Sequence, residues 1–309
     1  MSVDRFLNSY VLENEYLQVR ISVIGASILS FKYKTEKMID IMPSATPDFK
    51  ASSFLMVPYS NRIRDGKLTM GNQHYQLDTS ADPHVRHGDV RNRPWFVCKI
   101  GPRSKSTFLC LKFDSSDLTR YDGWNWPTRI ACTCFYQLEG NSLIQTISVI
   151  NMDNQLESIL VGGGLHPYFN KLTPSPVLQM ACDHVYPSAE EPYFPSGPPQ
   201  NVHDALDFRQ PKPLERAYDH CYGQCDTVST INYPKFVDGK DLVVSIEGTP
   251  NLKHRILFNP MEKPYFAVEP ALNCNDAFNV MRQHGCDSGL VELRHGEKVE
   301  FQMKISVSL

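Results

Sequence analysis

The 309-residue chain contains no apolar run long enough to cross a membrane as a helix. Its first residues, Met1-Ser-Val-Asp-Arg-Phe-Leu-Asn-Ser-Tyr10, lack the basic, then apolar, then small-residue order of a signal peptide, so a cytoplasmic location is expected. It also lacks an excess of charge of either sign. A net charge of −3 gives no global attraction to nucleic acid or to an anionic membrane surface, which leaves a small neutral or polar ligand as the default partner. No segment holds an apolar period of 3.6 over three turns, so a helical bundle is excluded, and no internal repeat indicates a solenoid or propeller. There is no metal-ligand cluster and no glycine-rich phosphate loop. The nine cysteines, an odd number scattered from Cys98 to Cys286, fit free thiols in a reducing compartment better than a disulfide framework. Cys132 and Cys134 fall on one face of a strand and read as small core residues, while Cys221-x3-Cys225 lacks zinc spacing.

Short strand patterns fill the chain instead. Leu17 to Val23 alternates apolar and polar residues, and Ala26 to Tyr33 continues the pattern after Gly25. Asp65-Gly66 and Gly71-Asn72 are turn signals that make Lys67 to Met70 and Gln73 to Leu77 a hairpin. Trp95 to Ile100, Phe108 to Phe113, Arg129 to Gln137 and Leu143 to Ile150 follow, then Asp241 to Glu247, Lys253 to Phe258, Tyr265 to Val268 and Lys298 to Val307. Proline is dense from Pro174 to Pro213, which reads as a long surface excursion. The expected fold class is all-β, with two packed antiparallel sheets in a single domain over residues 1–309.

The stretch Gly162-Gly-Gly-Leu-His-Pro-Tyr-Phe-Asn170 is the centre of the chain's chemistry. Three glycines allow close approach of another backbone or a ligand, and Pro167 biases His166 toward extended geometry, which presents its imidazole at the end of a strand; a histidine packed in a strand-end turn is the alternative. Four other residues stand beside it. Arg62 follows an apolar run and has a planar fork suited to vicinal hydroxyls or a carboxylate; a surface arginine is the alternative. His87 precedes Gly88 in a turn, where a solvent-facing loop histidine is the competing reading. Asp219 lies among aromatics that suit the apolar faces of a sugar, or else it forms a turn. Glu269 ends the apolar run Pro264-Tyr-Phe-Ala-Val268, where burial would raise its pKa and make it a usable base, unless it turns out to water.

Taken in order, Asn61-Arg-Ile63, the Asp65-Gly66 hairpin, His87-Gly88, His166-Pro-Tyr-Phe-Asn170, Asp219-His220 and Val268-Glu-Pro270 resemble the aldose 1-epimerases, or galactose mutarotases, over nearly the whole chain. Asp276-Ala-Phe-Asn279 and the ending from Gly289 to Glu297 are similar to that family too. The resemblance implies a large antiparallel β-supersandwich that interconverts the α and β anomers of a free hexose such as galactose or glucose. It implies Glu269 as general base, His166 as general acid, and Arg62, His87 and Asp219 as substrate contacts, with no cofactor and no metal. Two departures bear on the substrate. Glu157 to Val161 lacks the proline expected before the glycines, and Arg86, Arg91 and Arg93 make the His87 loop basic. If those arginines are solvated the substrate is a free aldose; if they meet a phosphate it is a hexose 6-phosphate. A catalytically silent sugar-binding protein would need Asp219 and Arg62 but not an acid with a base, and a glycosidase would need the Asp219 and Glu269 carboxyls to flank a glycosidic bond.

Overall fold

Alternation builds the sheet. In Leu17–Ser22 the side chains of Leu17, Val19 and Ile21 are buried while Arg20 is exposed, and the same period recurs in Ile28–Lys34, Phe108–Asp114, Ile130–Glu139 and Lys298–Ser308. The computed structural model describes residues 7–101, 107–117, 123–188 and 194–309. Among them, eighteen strands form one connected sheet, two further ribbons have two strands each, and the one α-helix, Ala277–His284, has eight residues. No helix among the described residues is long and apolar enough to cross a membrane.

The sheet folds over at its longest strand, Tyr218–Val237. One edge of this strand pairs with Val177–Val185, while the other pairs first with His254–Asn259 and then with Lys240–Gly248. From His254–Asn259 the pairing continues through Tyr265–Ala271, Gly164–Asn170 and Ser53–Met56 to Ile28–Lys34, Leu17–Ser22 and Ser9–Glu13. From Lys240–Gly248 it continues through Lys298–Ser308, Ser142–Asn151 and Ile130–Glu139 to Phe108–Asp114 and Phe96–Ile100. Every pairing is antiparallel. The two halves share one core, in which Phe31, Leu165, Phe169 and Phe266 meet Leu111, Tyr136, Ile147 and Phe301. Each fully buried side chain of this size stabilises the fold by about 1.5–3 kcal/mol relative to exposure. Tyr136 also ties the halves together by donating its hydroxyl proton to the carbonyl of Ala26. The architecture is the antiparallel β-supersandwich that the resemblance implies.

Several local readings need correction. His166 does not end the strand begun at Ile159. Ser158–Val161 stops at the glycines and pairs with Val291–Arg294, and a new strand, Gly164–Asn170, carries His166 in its interior. The excursion from Pro174 to Pro213 contains the nine-residue strand Val177–Val185, and both Phe194 and Phe208 are buried; Pro192 lies outside the described residues. Its inward set, Leu178, Met180 and Cys182, includes two residue types with little strand signal, which hid the alternation. Tyr218–Val237 was hidden by Gly223, Pro234 and the positive φ of Gln224 and Lys235, which interrupt its period. The cysteines are not all free: Cys182 and Cys225 are cross-strand partners joined by a disulfide. Sequence distance concealed this pair, because the two strands meet only through the fold. Cys132 and Cys134 are buried core residues, as their spacing indicates.

Candidate active site

Register brings the acid and the base together. The pairing that sets Gly164 against Ala271 and Tyr168 against Ala267 leaves His166 directly across from Glu269, and on its other side His166 pairs with Phe54. Opposed residues of an antiparallel ladder project from the same face, so Phe54, His166 and Glu269 form a row across three adjacent strands. Two residues along, Tyr168, Ala267, Phe258 and Asp219 form the next row on that face. Residues far apart in sequence become neighbours by this lateral geometry.

The glycines permit the approach. A Cβ on Gly162 would fall 2.1 Å from Asn273 Oδ1, and one on Gly164 would fall 2.8 Å from the carbonyl oxygen of Pro270. Asn273 Oδ1 accepts the N–H groups of Ser60, at 3.1 Å, and Gly163, at 2.9 Å. This buried amide pins the start of the His166 strand to the segment that follows Glu269. The loop bearing Arg62 and His87 is held similarly. Gly88 packs so tightly that a Cβ there would lie 1.8 Å from the Val57 carbonyl oxygen, and His87 takes φ = 62° while donating its N–H to Asn61 O at 2.7 Å. Positive φ is costly for histidine and persists only where surrounding contacts determine it. The carbonyl of Arg62 accepts the N–H of Asp276 at 3.0 Å, which anchors the backbone beneath that guanidinium.

Glu269 Oε1 lies 3.1 Å from His166 Nε2, with both side chains buried. Burial drives the Glu269 carboxyl well above its usual range; the charge of Asp219 adds to this and Arg62 opposes it. Burial also lowers the pKa of His166, with a further push from the Arg91 cation. Each partner therefore disfavours its own charged form in this buried site. Asp219 is raised to about 6, again by burial, with Arg62 opposing. His87 is held well below its usual value by burial and then by Arg91, and so stays neutral. Its ring stands edge-on to His166 with centroids 5.3 Å apart, and its Nδ1 lies 3.1 Å from Met56 Sδ.

The three arginines of the basic loop separate. Arg86 is paired with Asp82, and Arg93 with Asp89. Arg91 lines a cleft of about 220 Å3 with Phe49, Lys50, Phe54, Asn92 and Tyr168. Tyr168 stands 4.4 Å from the His166 ring, centroid to centroid. Phe54 and Tyr168 escaped the sequence reading, although the period of two from His166 already puts Tyr168 on its face; Phe54 carries no such signal. Among the described residues no group of three or more His, Cys, Asp or Glu side chains is arranged to hold a metal ion.

The family model described as aldose 1-epimerase matches residues 8–306. The chain belongs to the aldose 1-epimerase family. It is 25% identical over 308 residues to the uncharacterized protein YphB of Escherichia coli K12, covering 96% of this chain and 98% of that one. Among solved structures it is similar to a galactose mutarotase-like protein of Clostridium acetobutylicum, with a TM-score of 0.80, 18% identity, and 96% and 94% of the two chains covered. It is also similar to the GalM/aldose epimerase homologue of C. elegans, with a TM-score of 0.78, 18% identity, and 97% and 99% covered. At such identities these structural likenesses show the fold alone.

Proposed function

We propose that this protein interconverts the α and β anomers of an aldose, with hexoses such as galactose and glucose as reference substrates, by acid/base opening and closure of the pyranose ring. The observation that carries the reading is the buried contact of 3.1 Å between His166 Nε2 and Glu269 Oε1 on a face shared with Asp219. In the forward half-reaction Glu269 takes the proton of the anomeric hydroxyl, the bond from the anomeric carbon to the ring oxygen breaks, and His166 gives a proton to that oxygen. The aldehyde carbon then rotates about its bond to the next carbon, and closure on the other face reverses both transfers. Each positioned transfer typically contributes about 10²–10⁴-fold.

The proton inventory supports these roles. An imidazolium with a carboxylate carries one proton, the same number as a neutral imidazole with a carboxylic acid. A sugar entering between the two needs only the tautomer with the proton on His166, and no proton from solvent. Asp219 and Arg62 would hold hydroxyls, and neutral His87 would add a further hydrogen bond. The test is polarimetry of freshly dissolved α-glucose and α-galactose with and without the protein. Faster approach to anomeric equilibrium is expected; no acceleration with any aldose, neutral or charged, rejects the reading. Incubation with a disaccharide separates it from glycoside hydrolysis, for which released monosaccharide would be the sign.

A further inference from the structure

Two cysteines meet at the margin of the sheet, in the half that does not carry His166 and Glu269. Phe96–Ile100 pairs with Phe108–Asp114 and, among the described residues, with no other strand. The register sets Val97 against Leu111 and Lys99 against Cys110, so Cys98 is the extra residue of a bulge. On the neighbouring strand Leu109, Leu111 and Phe113 face the core, which turns Cys110 outward. The bulge brings Cys98 to the same side. Its sulfur lies 2.7 Å from that of Cys110 and 3.2 Å from the Cys110 carbonyl oxygen. A disulfide is about 2.05 Å long, so bonding needs roughly 0.7 Å of further approach. Of the seven cysteines outside the Cys182–Cys225 bond, Cys98 is the one that is exposed; Cys110 and Cys286 are half-buried, and the other four are buried.

We propose that Cys98 and Cys110 form a dithiol site that reacts with low-molecular-weight disulfides of the oxidised glutathione type and closes reversibly to an intramolecular disulfide. Cys98, as its thiolate, attacks one sulfur of the small disulfide; the S–S bond breaks, the first small thiol leaves, and a mixed disulfide forms on Cys98. Cys110 then loses its proton and attacks the Cys98 sulfur, which expels the second small thiol. The balance is one protein dithiol and one small disulfide giving one protein disulfide and two small thiols. Exposure decides the order, because a dissolved disulfide reaches Cys98 first. The Cys110 thiol is pushed up to about 12 by burial and then by the hydrogen bond and charge of Cys98, while Lys112 and Lys99 oppose the shift. Capping Cys98 removes both of its contributions and leaves the two lysines to favour the second attack. The bond would fasten the outermost strand to its neighbour at the bulge, where the ladder is interrupted. This chemistry is independent of anomer exchange.

The experiment incubates the folded, reduced protein with oxidised glutathione, quenches with acid and maps the peptides by mass. Wild type should yield the peptides carrying Cys98 and Cys110 joined to each other, without glutathione, and dithiothreitol should free both thiols again. Cys110→Ser should stop at a glutathione adduct on Cys98, because no second thiol is in place to expel it. Cys98→Ser should leave Cys110 largely unmodified over the same time. A wild-type protein that keeps both thiols free, retains glutathione on Cys98, or joins Cys98 to a second copy overturns the site. Modification of Cys110 in Cys98→Ser as fast as crosslinking in the wild type, or no adduct on Cys98 in Cys110→Ser, overturns the assigned order and with it the proposal.

Discussion

Phe54 lies stacked on the imidazole of His166, ring centroids 4.6 Å apart and planes 28° from parallel, because the two residues oppose each other on adjacent strands. The stack sets the plane in which Nε2 faces Glu269. Phe54→Ala should therefore lower kcat by about 10–100-fold through misplacement of the imidazole, with a smaller loss of stability because Phe54 is only half-buried. Stopped-flow polarimetry with saturating sugar checks this, and an unchanged kcat would show that the stack does not orient His166.

The acid and base should fail together. Glu269→Gln preserves size and hydrogen bonding but abolishes the base, so anomer exchange should fall by about 10²–10⁴-fold while sugar still binds. His166→Asn should fall comparably. The double variant should lose less than the product of the single losses, because groups that act as a unit are not additive. Near-normal mutarotation by Glu269→Gln would reject the assignment.

Asp219 gives a pH signature with opposite signs for stability and binding. Its folded pKa of about 6 lies above the ordinary carboxylate value of 3.8, so folding takes up a proton between those values. The associated stability is fully present below 3.8 and is lost as pH rises through about 6. Asp219→Asn should then gain Tm relative to the wild type at pH 8 compared with pH 5. Sugar affinity should run the other way. If the ionised carboxylate accepts hydroxyl protons, KM rises for the wild type as pH drops through about 6, and that limb vanishes in Asp219→Asn. Parallel melts and KM profiles decide the matter, and a pH-independent Tm difference would count against it.

The clasp between Gly162 and Asn273 can be tested by a double-mutant cycle. Asn273→Ala leaves two buried N–H groups without acceptors, which costs about 2–4 kcal/mol. Gly162→Ala collides with the Asn273 amide in the wild type. With that amide removed, Gly162→Ala should cost distinctly less, which urea unfolding midpoints will measure. Additive effects would mean that the close approach is not what the glycine is for.

Much of the fold was legible where alternation was clean, as in Ile130–Glu139, and where turn chemistry was explicit, as in the Lys67–Met70 and Gln73–Gln76 hairpin. The burial of Glu269 could be read from the apolar run before it, because a carboxyl carried on such a strand has few ways to reach water. What alternation cannot express is which strands lie side by side. The Phe54 to His166 to Glu269 row joins segments more than a hundred residues apart, and the Cys182–Cys225 bond depends on the same kind of pairing. The basic loop shows a second limit. Arg86, Arg91 and Arg93 read alike in sequence, and only the fold shows that Arg86 meets Asp82, Arg93 meets Asp89 and Arg91 lines the cleft beside Phe54.

The row of active-site residues also governs when the site can exist. Phe54, His166, Asp219 and Glu269 come from four strands, and the contacts of Phe54 with His166 and of His166 with Glu269 each span more than a hundred residues; closing such long loops makes them slow to form. No contiguous fragment holding only part of this set can be active, and during refolding, turnover should return after far-ultraviolet circular dichroism has recovered most of its amplitude. Anomer exchange is then a late reporter of the last sheet contacts to lock, and a nascent chain would gain it only after Glu269 had left the ribosome.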